Sequence, residues 1–379
     1  MQPLSAAALV LTFLTSATSL AAQGTLSTQG FGYPTGQLGA RARALGGGPA
    51  ELDPISPLNP ASIAMHGRPG VYFEYAPEWR TVTTSSGSEE SSVSRFPLAA
   101  ANIAIGAKWM LGLSASTLLD RSWETVNNLT IGQPPDTATA VATFRASGAM
   151  NDVRLSGAYR LHSTIDIGVG IHALTGESRT ERQLVVPDSA QFIPALQQRR
   201  FGYSGSGVSV GVIWRPVPDL GIGASARTGG TVSASSGDTT LSTADFPTRF
   251  GGSVEFTGIR GISLAGRLGW TGWSNLESLS LTDVPVTDTW EYGGGLEGRG
   301  PSLLGVDPAL RLGYRHRTLP FGLPGGAEVS EDAISGGLGV PVAGGRGTLD
   351  LTIERLMRDA PGEASERAWV LGIGMLLRL

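Results

Sequence analysis

The stretch Trp369-Val-Leu-Gly-Ile-Gly-Met-Leu-Leu-Arg-Leu379 decides the fold. Its odd positions, Trp369, Leu371, Ile373, Met375, Leu377 and Leu379, are all apolar, and its even side carries Gly372, Gly374 and Arg378. Successive Cβ atoms of a strand leave opposite faces of the backbone, so period two predicts a strand with one greasy face and one small or polar face.

The pattern recurs upstream. Ile165, Ile167, Val169 and Ile171 oppose Thr164, Asp166, Gly168, Gly170 and His172. Val208, Val210, Val212 and Trp214 oppose Ser209, Gly211 and Arg215, and Leu310, Leu312 and Tyr314 oppose Arg311, Gly313 and Arg315. Strands are predicted over 70–84, 94–106, 109–127, 138–161, 165–183, 198–215, 219–234, 246–257, 261–281, 287–299, 307–318, 332–341, 347–358 and 366–379. Short connections alternate with longer polar ones at 85–93, 128–137, 184–197, 235–245, 282–286, 319–331 and 359–365. That is the rhythm of a membrane barrel, with short turns at one rim and longer loops at the other. Pro77 is a candidate break in the first strand.

The reading is an all-β, antiparallel transmembrane barrel of about fourteen strands. In lipid every backbone N–H and C=O must be paired within the protein, so spanning strands survive only in a closed ring. The greasy face meets acyl chains and the charged face lines the lumen. Trp109, Trp214 and Trp369 fall near predicted strand ends, where interfacial aromatics belong.

Composition agrees. Among 379 residues there are 54 Gly, only 16 % charged residues, four His and no Cys. Disulfides and thiolate metal sites are excluded, and four scattered His make no metal cluster. No cofactor motif is present: no phosphate loop, metal spacing or haem site. The net charge of −4 argues against a nucleic-acid partner. Residues 1–22 read as a secretory signal, with an apolar run over Ser5–Leu14 and small-residue cleavage sites ending at Ala21 or Ala22, although no Lys or Arg precedes the run.

Residues 23–69 barely alternate. Their Leu38, Leu45, Leu52, Ile55, Leu58 and Ile63 argue for burial, and Pro54, Pro57 and Pro60 forbid one continuous helix. Here a specific resemblance emerges. Gly39-Ala-Arg41-Ala-Arg-Ala-Leu-Gly46-Gly47-Gly48, followed by Asn59-Pro60-Ala61, resembles the N-terminal hatch of the FadL family of outer-membrane transporters for long-chain fatty acids and hydrophobic compounds. Ser62 stands where that family has Gly, and the segment between the two motifs is short. Three later segments resemble the family too: Phe246-Pro-Thr-Arg-Phe-Gly-Gly, Trp270-Thr-Gly-Trp-Ser-Asn, and Leu310-Arg-Leu-Gly-Tyr-Arg-His-Arg. The closing Gly374, Leu377 and Leu379 resemble the terminal pattern of outer-membrane barrels, although a terminal aromatic is commoner.

The resemblance implies a barrel over 70–379 plugged by a hatch over 23–69, in the outer membrane of a Gram-negative-type bacterium. It implies passive uptake of a hydrophobic small molecule, with outer-membrane lipid, lipopolysaccharide and the barrel-assembly machinery as further partners. Gly39, Arg41, Gly46, Gly47, Gly48, Asn59, Pro60 and Ala61 are then the moving part, and passage sideways through a kinked strand is one route. Phe192, Ile193, Leu196, Phe201, Phe246 and Phe321 are candidate ligand contacts, with loop packing as the plainer reading. Arg311, Arg315 and Arg317 form a basic stripe that either attracts a substrate carboxylate or pairs with Asp350, Glu354 or the hatch. The rival function is a PorV-like scaffold or shuttle for secreted proteins.

Enzyme chemistry finds little footing. Gly202-Tyr-Ser204-Gly-Ser206 lacks the final Gly of a nucleophile elbow. Asp166 and His172 share a lumenal face, but six residues of strand put them about 20 Å apart.

Overall fold

A computed structural model describes residues 31–84, 87–133, 136–187, 195–280, 285–302, 305–322, 328–362 and 364–379. The predicted signal segment lies outside these residues. Two short elements come first: β1 (Tyr33–Pro34), α1 (Ala40–Ala44), and then a 3-10 turn at Pro60–His66. The wall follows as β2 (Gly70–Thr84), β3 (Gly87–Ile105), β4 (Trp109–Asp120), β5 (Trp123–Gln133), β6 (Asp136–His162), β7 (Ile165–Val185), β8 (Ala195–Val217) and β9 (Leu220–Ser236). It continues through β10 (Thr239–Asp245), β11 (Arg249–Ile259), β12 (Ile262–Thr271), β13 (Thr289–Arg299), β14 (Ala309–Gly322), β15 (Glu328–Val342), β16 (Gly347–Ala360) and β17 (Ala364–Arg378).

These seventeen strands make one sheet. β4 and β5 are two pieces of one wall strand, since both pair with β6. β10 and β11 likewise share β9. With β1 inside the lumen, fourteen wall strands remain. The ring closes where β17 pairs antiparallel with β2, Arg378 opposite Gly70 and Ala364 opposite Thr84. The rim holding Gly70 and Arg378 is called lower here, and the opposite rim upper.

The alternation has the expected physical outcome. Val169 and Ile171 are 61 % and 64 % exposed, whereas Asp166, Gly168, Gly170 and His172 between and beside them are buried. Leu312 and Tyr314 face outward while Arg311 and Arg315 are buried inside. An apolar outer belt over a polar inner face is what a bilayer selects in a closed sheet. No described helix is long and apolar enough to cross a membrane.

Several predicted boundaries move. The loops read at 85–93, 128–137 and 235–245 are largely strand, within β3, β5, β6, β9 and β10. Above the apolar belt a ladder needs only paired backbone, so Ser-, Thr- and Glu-rich ribbons continue where hydropathy reads loop. The strand read at 261–281 ends at Thr271, and Trp273–Leu279 coils into a 3-10 turn. Pro77 does not break β2; the irregularity is a register shift against β3 between Glu74 and Ala76.

Candidate functional site

Residues from Phe31 onward run into the lumen, where they meet the wall on many sides. Glycines on the inner wall make room for them. A Cβ added to Gly337 would stand 2.6 Å from the Ala44 Cβ, and one added to Gly223 would stand 2.8 Å from the Glu51 carbonyl. Gly168 lies against Pro60 and Ala61, and Gly211 against Asn59. The high glycine content is thus partly a smooth seat for the N-terminal segment.

Charge fixes the segment in that seat. Arg41 pairs with Glu255 at 2.9 Å and Glu297 at 3.1 Å. Arg43 pairs with Glu74 at 2.8 Å and Glu354 at 3.2 Å. Glu51 accepts from Arg249 and, at 2.7 Å, from the Ser225 hydroxyl. Burial pushes the Glu51 carboxyl up, but Arg249 and Arg267 beside it hold it below the usual carboxylate range. Asp53 goes the other way: burial raises it further than Arg41 and Ser56 can lower it. The Asn59 side chain caps the Ala61 N–H at 2.9 Å and donates to the carbonyls of Glu51 at 2.8 Å and Val212 at 3.2 Å. Gly39 caps α1. Gly46 and Gly47 take the left-handed backbone, φ +60° and +80°, and Gly48 approaches the Ala265 carbonyl. Of the eight residues singled out in this segment, all but the half-buried Arg41 are buried.

The upper lumen is different. Phe246 and Phe321, each 1 % exposed, join Phe31, Tyr33, Leu119, Met150, Leu174 and Tyr203 in one apolar cluster, with Phe201 packed against it. Trp273, Leu276 and Leu279 enter the same cluster from the 3-10 turn between β12 and β13. Phe31 and Trp273 meet edge to face, ring centroids 6.2 Å apart. Leu196 is 57 % exposed on β8 and does not take part. Phe192 and Ile193 lie outside the described residues. Sequence reading missed the Trp273, Leu276 and Leu279 face because it assigned these residues to a strand; their spacing of three was the available signal.

Beside this cluster the wall is interrupted. The β3–β4 ladder runs from Ile105 opposite Trp109 to Leu98 opposite Ser116 and stops. The next residue up β3 is Pro97, which has no N–H to donate. Above it β3 pairs with β2, while β4 reaches Asp120 and breaks at Arg121 and Ser122 before β5. Among the described residues no pairing joins β3 above Leu98 to β4 or β5. The edge of β4 is taken from inside: Tyr33 and Pro34 pair with Asp120 and Leu119. Arg95 of β3 spans the break to Asp120 of β4 at 2.5 Å and also pairs with Glu78. Tyr33 donates its hydroxyl to Glu331 at 2.8 Å, and its ring lies 5.1 Å from the Arg95 guanidinium. On the lipid side a cleft of about 860 Å³, measured out to its open mouth, lies just below. Phe73, Phe96, Ile373 and Met375 line it, together with Asn151, and it reaches the lumenal Ser116.

The basic stripe is fully engaged. Arg311 pairs with Asp350 at 2.5 Å and Glu297 at 2.6 Å, Arg315 with Glu331 and Glu354 at 3.5 and 3.7 Å, and Arg317 with Glu331 at 2.7 Å. Asp166 and His172 do not meet; Asp166 pairs with Arg160 and Arg215. His172 instead joins Asp152 at 2.8 Å through Nδ1 and Ser209 Oγ at 2.8 Å through Nε2. The order Asp, His, Ser is that of acyl transfer. Here Gln37 and Arg227 also grip Asp152, and Ser209 packs against Gly170, with 2 % of its surface exposed. The chain of bonds ties three wall strands to the N-terminal segment rather than facing a space for a substrate carbonyl.

No family model and no curated protein matches this sequence. Solved structures do match its fold. A FadL homologue from Pseudomonas aeruginosa superposes with a TM-score of 0.63 at 12 % identity, covering 92 % of this chain and 99 % of that one. The Pseudomonas putida toluene transporter TodX superposes with a TM-score of 0.54 at 14 % identity, covering 93 % and 100 %. The monoaromatic hydrocarbon channel CymD gives 0.54 at 12 % identity, covering 90 % and 97 %. This chain is thus similar in fold to those proteins over most of its length and nearly the whole of theirs.

Proposed function

We propose that this chain is an outer-membrane channel for passive uptake of hydrophobic small molecules, long-chain fatty acids or hydrocarbons. The observation that carries the reading is the apolar cluster in the upper lumen, set beside the break between β3 and β4. An apolar solute is stopped by a polar lipopolysaccharide leaflet, and a water-filled pore offers it no affinity. A lumen lined by Phe201, Phe246, Phe321 and Trp273 offers burial, worth about 25 cal/mol per Å² of apolar surface. The lower rim is then periplasmic, and the segment over 23–69 is the hatch. The hatch moves when ligand competes with its own Phe31 and Tyr33 for the cluster. The break offers a sideways exit once Tyr33 and the Arg95–Asp120 pair release. The channels that share the fold support the reading, since their names attach toluene and monoaromatic hydrocarbons to this architecture. Neither the cluster nor the break has a task in a PorV-like scaffold.

The test is binding and uptake of labelled oleate and labelled toluene by the full chain, purified and reconstituted in liposomes. Saturable binding of at least one is expected. Failure to bind either, with a protein partner co-purifying, overturns the channel in favour of the scaffold.

A further inference from the structure

The lower rim carries a charge of its own. Its turns and strand ends hold eight cations against three aspartates, Asp166, Asp219 and Asp307, in a chain whose net charge is −4. Arg160 and Arg215 share the buried Asp166. The other six are Arg68, Lys108, Arg260, Arg299, Arg346 and Arg378, and among the described residues no carboxylate oxygen lies within 4.0 Å of them. All but Arg378 are exposed. The upper ribbons differ, since their charges come in pairs: Arg145 with Glu124 at 2.8 Å, Arg200 with Glu177 at 3.0 Å, Arg367 with Asp359 at 3.0 Å.

The height of these cations says what meets them. Lys108 stands next to Trp109, Arg260 next to Ile259, and Arg378 between Leu377 and Leu379, and those apolar neighbours are all exposed on the outer face. At about 3.3 Å per residue, a charge one or two residues beyond the apolar belt sits roughly 3–7 Å outside it. The headgroup layer is about 5–7 Å thick on each side of a bilayer, so the cations lie among the phosphates. Lys108, the only lysine of the chain, shows the side it faces. Its ammonium lies 5.9 Å from the Tyr159 ring centroid, and that ring meets Trp109 at 4.7 Å. Tyr159 stands opposite Trp109 in the β4–β6 ladder, on the outward phase, so Lys108 is held on the lipid side. A zwitterionic headgroup brings its own ammonium and gains nothing net from a positive rim. A phosphate monoanion gains about five-fold for each basic residue within reach. The six cations are spread over five places in the ring, which suits separate lipids. A protein partner needs about 800 Å² gathered on one patch.

We propose that the lower rim is a binding ring for anionic phospholipids of the phosphatidylglycerol type. Lys108, with Trp109 and Tyr159 beneath it, is the best-defined subsite: the ammonium meets the phosphate monoanion and the two rings meet the glycerol and upper acyl chain. Arg260 and Arg346 make the same charge contact from their own turns. The inference goes beyond the channel reading and rests on it only for the side of the membrane, which makes the lipid that of the periplasmic leaflet. The bound lipids fix the height of the barrel in the bilayer.

The experiment reconstitutes the full chain in equal parts of phosphatidylglycerol and phosphatidylethanolamine with the same acyl chains. Native mass spectrometry then counts the lipids that each barrel keeps on release into detergent. Wild type is expected to keep phosphatidylglycerol at least about five-fold over phosphatidylethanolamine. Lys108→Gln with Arg260→Gln and Arg346→Gln should cut that ratio by at least about three-fold. Arg145→Gln with Arg179→Gln and Arg200→Gln removes as much charge from the upper ribbons and should leave the ratio within about two-fold. Lys108→Gln alone should lower the ratio and Lys108→Arg should restore it, which keeps the test alive if the lower triple variant fails to fold. Equal retention of the two lipids by wild type overturns the ring, and so does a loss in the upper triple variant that matches the lower one. An acidic protein that co-purifies with wild type and leaves with the lower triple variant, at an unchanged lipid ratio, assigns the ring to a protein and also overturns it. Toluene binding is read on the same preparations and should be equal in wild type and the lower triple variant. Its absence from wild type breaks the channel reading, while the lipid ratio still decides the ring.

Discussion

In the lower lumen Arg43 reaches Glu74 at 2.8 Å and Glu354 at 3.2 Å, and Ala44 lies against a bare Gly337. In the upper lumen Phe246 and Phe321 pack against Tyr203, Met150 and Trp273. The two halves fill the same barrel by opposite means. Ion pairs and glycine seats are directional, and no apolar solute can replace them. Apolar packing is non-directional, so another apolar body of similar volume can take its place. A segment held by ion pairs below and mainly by apolar packing above, with the Tyr33 hydroxyl on Glu331 as a polar tie there, is sealed on one side and more readily displaced on the other.

The largest expected effects come from breaking each half in its own currency. Arg43→Met leaves Glu74 and Glu354 buried without their shared cation, a loss of about 3–5 kcal/mol in docking of the hatch. Limited proteolysis of residues 31–69 and ion conductance in planar bilayers should both rise. Phe246→Ala removes a ring that is 1 % exposed and should cost about 3 kcal/mol, through lost transfer energy and a cavity. The halves then part company. Toluene should raise the thermal midpoint of Phe246→Ala by filling the cavity and should do nothing for Arg43→Met. Equal rescue of both variants would sink the contrast.

Much of this plan is written in period-two alternation. Val169, Ile171, Leu312 and Tyr314 point outward because only that phase puts Asp166, His172, Arg311 and Arg315 inside, and a one-residue slip would reverse every one of them. Strand count followed, since each wall strand carries its own alternating run. The segment proposed as a hatch stood out in the sequence through Gly46–Gly48 and Asn59-Pro60-Ala61. The upper site was legible only in part. Phe246 lies between β10 and β11, and Phe321 lies where the β14–β15 register shifts, whereas Leu196 sits in regular alternation and points outward. The break in the wall was signalled by Pro97, but a proline within a strand does not say which neighbouring strand loses its partner.

A finer break of the lower half uses shape alone. Gly337→Val adds a branched side chain where even one methyl would stand 2.6 Å from the Ala44 Cβ. The same Cβ would stand 2.9 Å from the Leu351 carbonyl of β16, so α1 must lift and the β15–β16 ladder must give locally. The expected cost is about 1–3 kcal/mol of hatch docking with the barrel intact. Barrel integrity is read as resistance to unfolding in warm detergent, and hatch lifting as cleavage within 31–69. Loss of both together would mean that hatch and wall fold as one unit.

The smallest effect separates the halves by pH. His66, at the lower edge of the hatch, faces the Pro54 carbonyl at 3.1 Å through Nε2, so that nitrogen is the donor. Burial pushes its pKa down to about 4, against the pull of that hydrogen bond. The undocked segment takes up a proton near the ordinary 6.5, whereas the docked one resists until about 4. Docking is therefore at full strength above pH 6.5 and weakens as pH falls through the window from 6.5 to about 4. With the ring partly in contact with solvent, the loss is on the order of 1 kcal/mol. Proteolysis of residues 31–69 should rise modestly across that window in wild type. His66→Gln keeps a donor but cannot titrate, and should flatten the rise. Toluene binding in the upper cluster should show no step that His66→Gln removes, and such a step would mean that the two halves are coupled through the hatch.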